Sequence, residues 1–160
     1  AEETERLGVT PIETGIMMEV PAAAEMANQF VAEIDLFSVS TNELTQYTLA
    51  MDRGHPRLAP QCDGLNPAVL RLIAQAVEGG REGNAWVGVC GGIASDPQAV
   101  PILIGLGVHE LSASVPAIPL IKAQIRGLSL KDCKTLAQQA LAADTAAEVR
   151  ALLPDELQTL

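Results

Sequence analysis

Strand-like and helix-like segments alternate along the chain, and this alternation limits the folds open to it. Four short runs are rich in apolar or small residues, as in strands buried on both faces of a parallel sheet. They span residues 15–20, 34–40, 86–91 and 110–115. A helical pattern follows each run, with an extra helix after the second. Because such alternation implies right-handed crossovers between parallel strands, we expect an α/β fold.

Prolines, glycines and apolar spacing set the predicted helix ends. Asn66 and Pro67 have the residue types of an N-cap and first helical position, and Gly79-Gly80 predicts the end of that helix. The other helices of the βα units are predicted over 21–33, 42–53, from 96–97 to 105–107, and over 116–126. Two amphipathic helices, 131–143 and 145–153, follow, and 154–160 is predicted to be a frayed end. We therefore divide the chain into a domain at 1–129 and a helical tail at 130–160.

Four βα units match either a small doubly wound sheet or half of a (β/α)8 barrel. A whole barrel needs roughly 200 residues or more, so this chain of 160 residues is too short for one. Half a barrel leaves two open sheet edges, which promote pairing with another chain. A half-barrel is therefore expected to associate, to be partly disordered, or to aggregate.

The composition excludes several classes of protein. Apolar residues form 48% of the chain but aromatic residues only 2%, so Ala, Leu, Val and Ile must build the core. A net charge of −10 disfavours binding to nucleic acid or to an anionic membrane. The longest apolar runs fall short of the ~20 residues that cross a bilayer. Three cysteines indicate a reducing compartment, and we expect a cytoplasmic protein. Because the chain begins with Ala1, we interpret it as a piece of a longer or processed protein.

Polar or reactive side chains follow the predicted strands, at the end of the sheet where parallel α/β folds bind ligands. They are Glu19, the run from Ser40 to Glu43, Cys90, Ser112 and Ser114. Each has a structural explanation. Glu19 could cap a helix, Asn42 is a natural N-cap with Glu43 favouring the helix dipole, and Arg53 suits a helix C-terminus. Cys90 could be a small buried apolar residue.

In combination the same residues indicate chemistry. Glu19 and Glu43 could chelate Mg²⁺, which takes one or two carboxylates together with waters and substrate oxygens. Arg53 would suit a phosphate-bearing anion, and Cys90 could donate a proton. On these residues alone, the prediction is a metal-dependent lyase or aldolase of the barrel type.

Several segments resemble the C-terminal part of Enzyme I of the bacterial phosphoenolpyruvate:sugar phosphotransferase system. They are IMMEVPAAA (16–24), STNELTQYTLAMDRG (40–54), NPAVLRLI (66–73), GVCGGIASDP (88–97) and GLGVHELSAS (105–114). The match extends over most of 12–130. The tail resembles that of multiphosphoryl transfer proteins, in which several such modules are fused.

The resemblance implies a phosphoenolpyruvate-binding (β/α)8 barrel of which this chain holds strands five to eight. It implies Glu19 and Glu43 as Mg²⁺ ligands, and Asn42 and Arg53 as substrate-binding residues. Cys90 would protonate C3 of the enolate as pyruvate forms. The phosphoryl group would pass to a histidine on another domain and then to the phosphocarrier protein HPr or an HPr-like domain. A homodimer is also implied.

Three positions depart from the family pattern: Glu43 replaces Asp, Ser40 replaces Gly, and Gly92 replaces Glu. The extra methylene of Glu43 displaces its carboxylate by roughly 1.5 Å, whereas Mg²⁺ requires near-ideal octahedral geometry. We therefore hypothesise a divergent or weakened site.

The chain by itself is expected to be inactive in phosphotransfer. Neither His55 nor His109 lies in the Gly-rich Ser-His context of the family's phosphorylated histidine. Arg53 is the single well-placed cation beside two carboxylates, which is little charge for a multiply charged anion. The alternative function is that of a truncated or degenerate module for dimerisation or regulation, without catalysis.

Overall fold

The computed structural model describes residues 2–153, and it contains one parallel sheet of four strands. The strands are β1 (Gly15–Met18), β2 (Leu36–Ser40), β3 (Trp86–Cys90) and β4 (Glu110–Ser112). Each lies within a predicted run, so all four strand predictions are confirmed, although the strands are shorter than predicted.

Helices connect and flank the strands. They are α1 (Glu2–Leu7), α2 (Pro21–Glu25), α3 (Ala27–Phe30), α4 (Thr41–Leu49), α5 (Pro67–Gly83), α6 (Val100–Leu106), α7 (Ile118–Gly127), α8 (Leu130–Ala142) and α9 (Ala146–Ala151). Short 3₁₀ helices occur at Ala59–Gln61, Gly92–Ser95 and Val115–Ala117. Within the described residues, no helix has the length and apolar character that crossing a membrane requires.

The spatial order of the strands follows the chain order, β1-β2-β3-β4, with every pair parallel. A doubly wound sheet reverses its order at one point, and this sheet does not. Right-handed crossovers that all run in one direction put the connecting helices on one face of the sheet. The predicted fold class, an α/β fold with the arrangement of part of a (β/α)8 barrel, is confirmed.

The two faces of the sheet have different surroundings. Phe37, Val39, Val87 and Val89 are fully buried and belong to the hydrophobic core, with residues of α5 and α6. Side chains alternate along a strand, so the residues between them lie on the opposite face. One row of that face is set by the strand register and consists of Met17, Ser38, Gly88 and Glu110. Its two outer members, Met17 and Glu110, are exposed.

The prediction that Gly79-Gly80 ends its helix was wrong, because α5 continues to Gly83 and is closed by Asn84 in the left-handed conformation. Both glycines are sites of close approach inside the helix. A Cβ at Gly79 would lie 2.6 Å from the Cβ of Ala27, and one at Gly80 would lie 2.8 Å from the carbonyl oxygen of Ala85. Their small size lets α5 approach its neighbours.

Three other helix predictions need correction. The segment predicted as one helix over 21–33 is divided at Met26 into α2 and α3. The helix predicted from 96–97 starts at Val100, after the 3₁₀ helix Gly92–Ser95. The helix predicted over 42–53 ends at Leu49, since Ala50 has a φ of 51° and stops it. Arg53 therefore lies in a loop, and its interpretation as a helix C-terminal charge was wrong.

The helices of the predicted tail pack directly on those of the βα units. A Cβ at Gly105 of α6 would clash with the carbonyl oxygen of Cys133 in α8, so the two helices lie backbone to backbone. Arg71 of α5 donates to the carbonyl oxygen of Leu141 at the end of α8, at 2.8 and 3.1 Å. The hydroxyl of Ser129 accepts from the N–H of Asp132 at the start of α8. The predicted frayed end at 154–160 lies outside the described residues.

Candidate functional site

The start of α4 is tied to the end of the neighbouring strand by Thr41. This residue is 1% exposed and follows β2 directly. Its hydroxyl donates a 2.7 Å hydrogen bond to the carbonyl oxygen of Cys90, the last residue of β3. The buried hydroxyl is thereby satisfied, and the ends of β2 and β3 are fixed against each other.

Asn42 makes a second bond between the same two strand ends. Its Oδ1 accepts from the N–H of Gly92 at 2.9 Å, across 50 residues of sequence. Asn42 is therefore not the N-cap of α4, and that structural interpretation was wrong. Ser40 occupies the capping position, without a side-chain capping bond to the backbone.

In the segment after β3, position 91 requires glycine, whereas position 92 tolerates a side chain. Gly91 has a φ of 94°, and a Cβ there would lie 3.0 Å from Oδ1 of Asn42 and still closer to the hydroxyl of Thr41. A Cβ at Gly92 would meet Asn42 Oδ1 at 3.5 Å, which is ordinary contact. A backbone in the left-handed region favours glycine, so Gly91 permits both interstrand bonds.

The carboxylate of Glu43 is held by two neighbours. The Ser40 hydroxyl donates to Oε2, and Nη2 of Arg53 donates to Oε1 in an ion pair. The pKa of Glu43 is lowered, and the hydrogen bond from Ser40 is the largest cause. Burial acts to raise this pKa, but the bond from the backbone N–H of Glu43 and the pairing with Arg53 lower it further. Two of the three departures from the family pattern, Ser40 and Glu43, are thus in direct contact.

Arg53 occupies the loop of residues 50–66 that joins α4 to α5. Its side chain is 45% exposed, and its backbone N–H donates to Oε1 of Gln46 at 3.3 Å. The guanidinium also lines a cavity of about 430 Å³ beside the strand ends. Other lining residues include Thr41, Asn42, Thr45, Asp63, Gly92 and Arg150. A guanidinium, a group that can pair with phosphate or carboxylate, thus borders a space that could admit a ligand.

Thr45 is the least satisfied polar residue of this cavity. It is 3% exposed, and among residues 2–153 its hydroxyl has no hydrogen-bond partner. A buried hydroxyl without a partner is destabilising. Sequence reasoning assigned no role to Thr41 or Thr45. The junction around them, SVSTNELTQ (38–46), is mostly polar, so the sequence held no local signal that distinguished these two residues.

Glu19 and Cys90 stand at the ends of neighbouring strands. Glu19 directly follows the last residue of β1 and is half-buried. Because Met18 pairs with Val39, the same register places Glu19 beside Ser40. Val20, and not Glu19, is the N-cap residue of α2, and α2 has no side-chain capping bond. Cys90 is half-buried and pairs in register with Ser40 and Ser112. Four of the five predicted site residues therefore lie at or just beyond the carboxyl ends of the strands, and Arg53 reaches this region from the loop 50–66 through its ion pair with Glu43.

The donor set fits Mg²⁺ only in the company of a substrate. Among the described residues, no group of three or more His, Cys, Asp or Glu side chains is arranged to hold a metal ion. Mg²⁺ takes one or two carboxylates where waters and phosphate oxygens complete its octahedron, and Glu19 and Glu43 are carboxylates that follow adjacent strands. In the structure each oxygen of the Glu43 carboxylate already accepts one hydrogen bond, Oε2 from Ser40 and Oε1 from Arg53.

A larger cavity, of about 800 Å³, is not part of this arrangement. It is lined by residues at the amino ends of the strands, among them Trp86 and His109, and by Lys134 of α8. His109 there has a structural role, since its Nδ1 accepts from the N–H of Val87 at 3.1 Å. Ligands of parallel α/β folds bind at the opposite end, so we assign the site to the smaller cavity.

Comparison with known proteins agrees with the resemblance found in the sequence. Residues 2–130 match the family described as "PEP-utilising enzyme, PEP-binding domain". The chain is 54% identical over 153 residues to a multiphosphoryl transfer protein of Rhodobacter capsulatus, covering 95% of this chain and 18% of that protein. It is 45% identical over 141 residues to a phosphoenolpyruvate-protein phosphotransferase of Haloferax volcanii, covering 88% of this chain and 25% of the relative.

A multiphosphoryl transfer protein of Xanthomonas campestris pv. campestris is 52% identical over 138 residues, which are 86% of this chain and 16% of the relative. The chain thus spans a quarter or less of the length of these relatives. The family match covers the four strands and every predicted site residue. This chain therefore belongs to the family of PEP-utilising enzymes, within their PEP-binding domain.

Proposed function

We propose that the chain forms one side of a phosphoenolpyruvate site in an Enzyme I-type phosphotransferase. One observation carries this proposal. After the end of β2, Arg53 pairs with Glu43, and the adjacent Asn42 accepts a hydrogen bond from Gly92, just after β3. An amide, a carboxylate and a guanidinium brought together in this way suit a phosphorylated carboxylic acid.

The chain's own side chains would act in distinct ways. Arg53 would exchange its ion pair with Glu43 for a charge-assisted bond to the phosphate, and this exchange would free Glu43. Asn42 would orient the ligand while its Oδ1 keeps the bond to Gly92. Cys90 would donate a proton to C3 of the enolate after phosphoryl transfer. Mg²⁺ bound at Glu19 and Glu43 would supply positive charge against the anionic ligand.

The remaining functions belong to the proposed whole protein. The phosphoryl group would pass to a histidine on another domain and then to HPr or an HPr-like domain, in a cytoplasmic homodimer. We propose that residues 1–129 are half of the barrel, that 130–160 form an accessory helical segment, and that this chain alone performs no phosphotransfer.

Calorimetric titration of the chain with phosphoenolpyruvate, with and without Mg²⁺, tests the site. We expect a dissociation constant of about 1 mM or tighter with Mg²⁺. Arg53→Gln should abolish that binding, and Asn42→Ala should weaken it. Arg81→Gln is the matched control, because Arg81 pairs with Glu78 on the exposed side of α5. Loss of binding in the control, or equal binding in all variants, would contradict the proposed site.

A second candidate function, association without catalysis, is favoured by the open face of the sheet. Met17 on that face is 53% exposed, and near β1 the apolar residues Leu7, Val9 and Ile12 are also exposed. Exposed apolar area of this kind marks interaction surfaces. Sedimentation of the native chain and of Met17→Lys distinguishes the two functions. A stable dimer that Met17→Lys dissociates, in a chain that binds no phosphoenolpyruvate, supports association alone.

A further inference from the structure

Arg150 on the short helix α9 contacts two loops that border the candidate site. Its Nε and Nη2 donate to the two carboxylate oxygens of Asp63 at 2.7 and 2.9 Å. Its Nη1 donates to Oδ2 of Asp96 at 3.2 Å and to Oε1 of Gln98. Asp63 belongs to the loop 50–66 that carries Arg53, and Asp96 follows the segment that contains Gly91 and Gly92. One guanidinium thus joins both walls of the cavity.

The geometry of these bonds is specific to arginine. The pairing with Asp63 is bidentate, a fork geometry that lysine does not reproduce. The partners are only partly exposed, at 35% for Arg150 and 23% for each aspartate, so solvent screens the contacts less than at an open surface. Burial acts to raise the pKa of Asp63, but the bonds from Arg150 and the Leu65 N–H outweigh it and leave that pKa below its ordinary value.

The helix that carries Arg150 is itself fixed in place. Thr145 accepts from the N–H of Glu148, whose carboxylate accepts from the N–H of Asp144. Val149 is fully buried in the main core. The position of Arg150 is therefore set by the core. Helix α9 also lies beyond residues 2–130, the part of the chain that the family model matches.

Arg150 further offsets negative charge at the cavity. Asp63, Asp96 and Arg150 all line it, together with Arg53. Without Arg150, two carboxylates would face the space beside the proposed phosphate-binding cation. Both would oppose the entry of an anion.

We propose that Arg150 is a positioning residue for the candidate site, which fixes the loop 50–66 against the segment 91–98 and thereby sets the place of Arg53. The proposal rests on the proposed phosphoenolpyruvate site for its ligand measurement, whereas its loop measurement requires no ligand. It assigns the C-terminal helices a function in ligand binding in addition to packing.

The test compares amide hydrogen exchange in the chain and in Arg150→Gln, Arg150→Lys and the control Arg81→Gln. Loss of the charged bonds in Arg150→Gln should speed exchange in the loop 50–66 by at least about tenfold while β2 and β3 keep their native rates. Arg150→Lys should give an intermediate loop rate, and Arg81→Gln the native one. Native loop rates in Arg150→Gln, or an equal acceleration in every element, would overturn the proposal.

Affinity for phosphoenolpyruvate with Mg²⁺ separates positioning from charge. Arg150→Gln should weaken binding by about tenfold, and Arg150→Lys should recover only part of it because it restores the charge without the fork. Complete recovery by lysine would refute the positioning role. If the unchanged chain binds no ligand, the proposed function of this chain fails, and hydrogen exchange alone decides the role of Arg150. Should Arg150→Gln not fold, Asp63→Asn provides the same loop comparison.

Discussion

Replacing Glu43 with aspartate should reduce stability and improve ligand binding at the same time. A side chain shorter by one methylene holds its carboxylate farther from both the Ser40 hydroxyl and the Arg53 guanidinium, so we expect both contacts to be lost. The hydroxyl bond to a partly exposed carboxylate contributes about 1 kcal/mol, and the Arg53 pair, 45% and 27% exposed, contributes about 0–1 kcal/mol. The expected loss of about 1–2 kcal/mol corresponds to a fall in melting temperature of about 2–8 °C.

Ligand affinity should change in the opposite direction, because Arg53 no longer has to leave an ion pair before it binds phosphate. Each kcal/mol recovered is about fivefold in the dissociation constant, so Glu43→Asp should bind phosphoenolpyruvate with Mg²⁺ up to about fivefold more tightly. Calorimetric titration and thermal unfolding of the same samples measure both effects. Glu43→Gln is the isosteric control and should lose stability and Mg²⁺-dependent binding together. A Glu43→Asp variant that is weaker in both measurements would refute the reasoning.

Three further predictions concern residues around the same strand ends. Thr45→Val keeps the shape of the side chain and removes its unpartnered hydroxyl, so thermal unfolding should show a gain of about 1 kcal/mol; a loss would mean that the hydroxyl is satisfied by an ordered water. Gly91→Ala should cost about 1–3 kcal/mol in denaturant unfolding, because alanine at a φ of 94° is strained and would clash with Thr41, whereas Gly92→Ala should be nearly neutral. The pKa values of Glu43 and Asp63 are lowered in the folded state, so the ionised carboxylates should stabilise the fold. This contribution should be complete above the ordinary pKa values of 4.5 and 3.8, and it should fade as the pH falls from there through the lower pKa values of the folded state. Asp63→Asn should flatten that part of the stability–pH profile, and an unchanged profile would contradict the assignment.

The sequence predicted the strands better than the helix ends. Apolar runs and their turn residues report burial directly, and all four strands lie where these runs are. Helix ends depend on contacts with other segments. Gly79 and Gly80 resemble a stop signal locally, but they are required by the approach of Ala27 and Ala85. Conversely, Ala50 gives no local signal, yet it adopts the left-handed conformation that ends α4.

The sequence could predict that polar residues gather at the strand ends, but not the bonds between them. The rule that ligands bind at the carboxyl ends of parallel strands selected Glu19, Asn42 and Cys90 from one sequence. The bond from Gly92 to Asn42 and the pairing of Arg150 with Asp63 join residues 50 and 87 positions apart. Such contacts exist only once the sheet and the C-terminal helices have been assembled, and residue spacing does not reveal them.

The row Met17, Ser38, Gly88 and Glu110 on the open face determines the shape that a closing partner must have. Its two central members have small side chains or none, and Gly88 is buried under the indole of Trp86, which a Cβ built at Gly88 would meet at 3.2 Å. Interiors of barrels are filled to the density of crystals, and at Gly88 the ring of Trp86 supplies part of that volume from this half. A designed complementary half-barrel should therefore leave room for the ring of Trp86 beside Gly88 and present a hydrogen-bond donor opposite Glu110.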